Sequence, residues 1–254
     1  MFGFFRERRR ARLRAATFPD TWEEALRRHV PYFRKLPEVL QQRLRGHIQV
    51  FLAEKHFEGC GGLVLTDHMR LSIAAHACIL LLGEDFGFYR GLVSILLYPA
   101  AFVPLPKQHA PSGVVDDEPE EQEGESWDRG AVVLSWEDVQ RDVKAFDGRN
   151  VLFHEFSHQL YDCAEDAFET AEGFENWITV FQNHYERHLR DVERGRETFL
   201  DEYGAEDPAE FFAVATEDFF ERPLGFRRRH PDLYAQFSAY YRQDPASYFL
   251  GDAP

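Results

Sequence analysis

Cysteine is scarce in this chain. There are three in 254 residues, Cys60, Cys78 and Cys163, widely spaced and forming no C-x-x-C pair. No thiol chemistry is assigned to them, and Cys78, inside an Ile- and Ala-rich stretch, reads as a small core residue. Long apolar runs are also missing. No segment approaches the roughly 18 uninterrupted apolar residues of a membrane helix, and Met1 to Phe5 is too short for a signal-peptide core. The expected location is the cytoplasm, with no membrane partner. Basic residues fall well short of acidic ones, 29 against 44, for a net charge of -15. Most of the surface should therefore repel nucleic acid. Six arginines are concentrated between Arg6 and Arg14, so 1–18 is expected as a basic, flexible tail. Neither a repeat nor a linker divides 19–254, which is expected as a single domain.

Apolar residues make up 44% of the chain, with 24 Phe, enough for a proper core. Trp22 to His29 reads as a short helix. Pro37 opens a longer one whose Leu40, Leu44, Ile48, Phe51 and Leu52 recur at helical spacing. Gly59 to Gly62 breaks the chain. Leu63 to Thr66 is a strand candidate, and Asp67 caps an apolar helix to about Leu82. His76 on that helix lacks a partner at metal-binding spacing and reads as a satisfied core histidine. Leu92 to Tyr98 and Ala131 to Leu134 are strand candidates, separated by a long loop with an acidic run at 116–125, which could act as a lid. Ser135 caps a helix to about Phe146, and Glu175 to Arg194 forms a long helix. Early strands and a helical second half predict an α+β fold with a small mixed sheet.

The stretch Val151 to Leu160 contains His154-Glu155-Phe156-Ser157-His158, an H-E-x-x-H pattern in an apolar run. On a helix the two imidazoles lean the same way, about 40° apart around the axis. One metal ion can then take both, while Glu155, rotated by about 100°, is free to act as a general base. Chance alone yields the pattern in roughly one shuffled chain in twenty, so context must support it. Leu152, Phe156 and Leu160 supply that context as an i, i+4, i+8 stripe packed on a core. Two histidines and a glutamate on a buried helix are costly unless something satisfies them, and a metal would. The competing reading is a pair of hydrogen-bonded histidines on a half-buried helix.

A hydrolytic zinc site needs three protein ligands and one open position. No histidine follows at the longer H-E-x-x-H-x-x-G-x-x-H spacing, since Tyr161 and Ala164 stand at the later positions. A glutamate on a later helix is favoured instead. In Asp207-Pro208-Ala209-Glu210, Asp207 caps and Pro208 takes the first helical position, with Glu210 and Glu217 on one face. Alternatively, Glu210 completes a capping box with Asp207.

These motifs, with Tyr203, Glu217-Asp218-Phe219-Phe220, Tyr98-Pro99-Ala100 and Gln243-Asp244-Pro245, resemble the Mlc titration factor A family of zinc-dependent peptidases over about residues 60–245. The C-terminal signature also resembles the catalytic domain of anthrax lethal factor. The resemblance implies a zincin-like, gluzincin-type fold in which one Zn2+ is held by His154, His158 and Glu210. It implies Glu155 as the base, Tyr203 as donor to the oxyanion, and Glu217 orienting a histidine through its far nitrogen. Asp162 is a further supporting candidate, displaced by one residue from the family's Asp, and Ser157 replaces a usual Ala. The implied activity is metallopeptidase, aminopeptidase-like on short peptides. A second expectation is a regulator that sequesters a transcriptional repressor, with zinc mainly structural.

Overall fold

The computed structural model describes residues 2–83, 86–100 and 130–249. The chain opens with α1 (Phe2–Ala15), α2 (Asp20–His29), α3 (Pro31–Lys35) and α4 (Glu38–Glu54), then β1 (His56–Gly59), α5 (Asp67–Ile79), β2 (Ser94–Tyr98) and β3 (Ala131–Ser135). Helices dominate the second half: α6 (Trp136–Asp142), α7 (Val151–Tyr161), the short α8 (Ala164–Ala167), α9 (Ala171–Glu193), α10 (Pro208–Glu221), α11 (Pro223–Arg229) and α12 (Pro231–Tyr241). The α+β expectation holds, but two details change. The first strand is His56–Gly59, not Leu63 to Thr66, because α4 delivers the chain directly onto β2, where His56 N–H donates to Val93 O at 2.9 Å. Left-handed Gly61 and Gly62 then turn the chain away, and Thr66, not Asp67, caps α5 by accepting from Met69 N–H.

The second change concerns the sheet. It is parallel rather than mixed, in order β1-β2-β3. Burial alternates along β2 and β3, with Ile95, Leu97, Val132 and Leu134 inside and Val133 44% exposed, the period-2 pattern of a sheet with one packed face. The acidic run 116–125 and the loop around it lie outside the described residues. So do residues 250–254.

The basic N-terminal stretch is not a frayed tail. Residues Phe2–Ala15 are helical, and Arg10 is 3% exposed, forked onto Glu54 through bonds of 2.9 and 2.8 Å. The Arg10 and Arg14 guanidinium groups lie over the Phe88 ring. Gly46 on α4 allows the approach, because a Cβ there would stand 3.3 Å from the Arg14 side chain. Long arginine stems cover apolar surface in this way while keeping their charge paired.

One apolar cluster runs from Leu26 to Ala246. Phe153 of α7 lies 5.1 Å from Phe220 of α10, and Phe156 lies 5.8 Å from Phe51 of α4. The core thus clamps α7 between an early helix and a late one. His76 is 1% exposed, with its Nδ1 on Ser72 O at 2.8 Å, and Cys78 is fully buried, both as the sequence suggested. Among the described residues no helix is long and apolar enough to cross a membrane.

Candidate metal centre

The centre is built on the first turns of α7 and α10. Asn150 caps α7: its Oδ1 accepts from Leu152 and Phe153 N–H at 3.1 and 3.2 Å. Asp207 caps α10 in the same way, accepting from Ala209 and Glu210 N–H at 2.7 and 2.9 Å, with Pro208 at the first helical position. Each cap satisfies two of the backbone donors that a helix start leaves open. The helices then pack side by side, with His154 and His158 facing Glu210.

Glu210 does not turn back into a capping box. Its Oε2 stands 3.0 Å from His154 Nε2 and 3.5 Å from His158 Nε2. That oxygen is buried with no hydrogen-bond partner assigned. The three residues can offer ligand atoms that all lie within 4.8 Å of one another. Zinc bonds of about 2.0–2.1 Å at tetrahedral angles set neighbouring ligand atoms roughly 3.3 Å apart, close to the separations found.

The far side of His154 fixes its tautomer. Nδ1 lies 2.8 Å from Glu217 Oε1, and Glu217 Oε2 accepts from Asn150 N–H at 2.6 Å. With Nδ1–H donated to Glu217, Nε2 presents a lone pair toward Glu210. In that neutral tautomer acceptors face acceptors, an arrangement that suits a bound cation, and both the donor types and their spacing fit a zinc ion.

Burial acts on every ionisable group here. It works against charge on His154, but the Glu217 bond and the nearby charges of Glu217, Glu155 and Glu210 outweigh it and hold the pKa above the usual histidine value. For His158 burial and the His154 charge outweigh the nearby Asp207 and take its pKa down to about 4. Glu155 is half-buried beside the pair. Burial raises its pKa, His154 opposes the rise, and Glu210 and Glu217 add to it.

Tyr203 lies on a single 3-10 turn, Glu202–Ala205, with its ring 6.0 Å from that of His154 and 46% exposed. Its turn is fixed by Asp201, which accepts from Tyr203 N–H at 3.0 Å and pairs with Arg149 at 2.5 Å. His188 of α9 donates to the Asp201 carbonyl at 3.0 Å. Ser157 is fully buried, its hydroxyl donated to His154 O at 2.7 Å, so it costs the helix no unsatisfied group. Asp162 is exposed at the C-terminal cap of α7.

Sequence reasoning missed Asn150 as a joint of the site. Besides capping α7 and donating its backbone N–H to Glu217, it donates Nδ2–H to Glu221 at 2.9 Å. Asp142 completes the shell by accepting from Val151 N–H at 3.1 Å. An Asn immediately before an apolar helical run was the available signal. Gly148, just before it, is left-handed with φ +95 and lies so close to Arg222 that a Cβ would collide with the guanidinium.

Comparison with known proteins agrees with this geometry. The family model described as glucose-regulated metallo-peptidase M90 matches residues 5–242. An uncharacterised protein of Synechocystis is 39% identical over 236 residues, covering 89% of this chain and 85% of that protein. Mlc titration factor A of Klebsiella pneumoniae and its Escherichia coli counterpart are each 32% identical over 232 residues, covering 88% of this chain and 86% of theirs. With nearly its whole length matched, this chain belongs to the family of glucose-regulated M90 metallopeptidases that is represented by Mlc titration factor A.

Proposed function

We propose that the protein is a zinc-dependent peptidase acting on short peptides in the cytoplasm, aminopeptidase-like, with one Zn2+ held by His154, His158 and Glu210. The observation that carries this reading is the convergence of two imidazole nitrogens on the buried Glu210 Oε2 beside Glu155. When bound, zinc supplies Lewis acidity toward a water and toward the scissile carbonyl. Glu155 takes the proton of the attacking water and later delivers it to the leaving amine, a role helped by the burial that raises its pKa. Tyr203 donates its phenolic hydrogen to the developing oxyanion. Glu217 keeps His154 in the tautomer whose Nε2 faces the ion. Exposed β3, an edge strand among the described residues, offers a ladder on which an extended peptide can pair.

Glu155→Gln should retain zinc and lose nearly all peptide hydrolysis. Wild-type rates in that variant would show that another group is the base. A second reading is supported by the name of the relatives, Mlc titration factor A: binding and sequestering a transcriptional repressor, with zinc mainly structural. Removing zinc separates the two. Lost turnover with an unchanged melting curve supports catalysis, whereas unfolding supports a structural ion.

A further inference from the structure

The stripe Phe174, Trp177, Ile178, Phe181 and Tyr185 on α9 does more than fill the core. Trp177 is 4% exposed and stacked on Phe181 at 5.3 Å, but Ile178 beside it is 44% exposed. Between this stripe and Tyr161 lies a cavity of about 510 Å³, with more apolar than polar lining. Its volume suits an aromatic or large aliphatic side chain with neighbouring backbone. Two residues of its wall stand close along the chain to residues of the candidate centre. Tyr161 follows His158 by less than one helical turn, and Pro208 starts the turn that carries Glu210. The floor is fixed by aromatic packing, with Tyr161 5.6 Å from Phe212.

The rim has one sign of charge. Asp162, Glu165 and Glu186 line it, and no Lys, Arg or His does so among the described residues. Glu186 also meets Gln182 at 3.3 Å and Arg190 at 3.6 Å, so part of its charge is already answered. An apolar slot with carboxylates at its mouth favours an apolar side chain carried on a cationic chain.

We propose that this groove is the subsite for a bulky apolar side chain flanking the scissile bond of a cationic peptide. It rests on the peptidase reading above and adds the substrate class. Burying one such side chain in place of a methyl group is worth roughly 10- to 200-fold in kcat/KM.

The test uses the zinc-loaded full chain and hexapeptides of one Lys and five Ala, with a single Phe walked along the positions. A second set carries Glu in place of Lys. At one position Phe should raise kcat/KM at least about tenfold over Ala, and the Lys set should be cut faster than the Glu set, less so at high salt. Ile178→Asp is a surface change that should leave the melting curve unmoved and bring the Phe-to-Ala ratio close to one. No Phe preference at any position, or an unchanged ratio in Ile178→Asp, overturns the proposal. So does concentration-dependent dimerisation in sedimentation that Ile178→Asp abolishes, since the groove would then belong to a second copy. If no peptide is cut, the peptidase reading fails by itself and calorimetry with the same peptides decides the groove. Phe-peptide binding about tenfold tighter than Ala-peptide binding, lost in Ile178→Asp, sustains it. Equal binding ends it.

Discussion

Replacing Asn150 by Ala should destabilise the protein more than any other single polar change near the centre. Its side chain is fully buried and serves both ends of a joint: two N–H groups of α7 on one side, Glu221 on the other. Losing the cap costs about 1 kcal/mol, with a range of roughly 0.5–2. Losing the donor to Glu221 leaves a buried acceptor unmet, which costs about 1–3 kcal/mol. Burial pushes the Glu221 pKa up to about 9, so at neutral pH it is the uncharged acid that loses its partner and the smaller end of that range applies. The total is about 1.5–3 kcal/mol, which for a chain of this size lowers Tm by roughly 3–12 °C. Asn150→Ser keeps a capping oxygen without reaching Glu221 and should recover about 1 kcal/mol. Thermal unfolding followed by circular dichroism at pH 7.5, metal-free, measures both variants. An Ala variant that melts within 2 °C of wild type, or a Ser variant no better than Ala, would refute the assignment of Asn150 as the joint.

Other perturbations test separate parts of the structure. Glu217→Gln should weaken zinc binding by about 10- to 100-fold in competition with a chelating dye, and unchanged affinity would remove Glu217 from its orienting role. Burial lowers the His76 pKa to about 4, so the unfolded chain binds this proton more readily, and stability present above pH 6.5 is lost as pH falls toward 4. Going from pH 7 to 5 that share is about 2 kcal/mol, and urea unfolding of His76→Gln should show a pH dependence shallower by this amount. Arg10→Ala breaks a buried forked pair and should cost about 3 kcal/mol or more in urea unfolding; a silent substitution would mean that α1 contributes little to the fold.

Legibility in the sequence followed the strength of the local signal. The helix that carries His154 and His158 was readable from its apolar stripe, and α10 from Asp207 and Pro208 at its start, because caps and periodicity are short-range effects. The facing of Glu210 toward the histidines was only one of two readings, since a capping box uses the same letters; packing of α7 on α10 decides it. His56–Gly59 escaped notice because a four-residue strand of half-exposed residues has little period of its own and is made by its neighbour. Leu63 to Thr66 looked more strand-like but has no ladder to join. The arginines of α1 read as a solvated tail, since nothing local reveals that Glu54, 44 residues on, will receive Arg10. The turn at 147–150 hid Asn150 among ordinary turn residues.

The bond between His154 and Glu217 spans 63 residues and that between Asn150 and Glu221 spans 71. A growing polypeptide therefore makes His154 well before the carboxylate that holds its Nδ1. Until α10 has been synthesised, a nascent chain has no assembled centre, and truncation before Glu210 removes both the carboxylate that faces the two imidazoles and the one that holds His154 Nδ1. Assembly of the centre is thus completed late in translation.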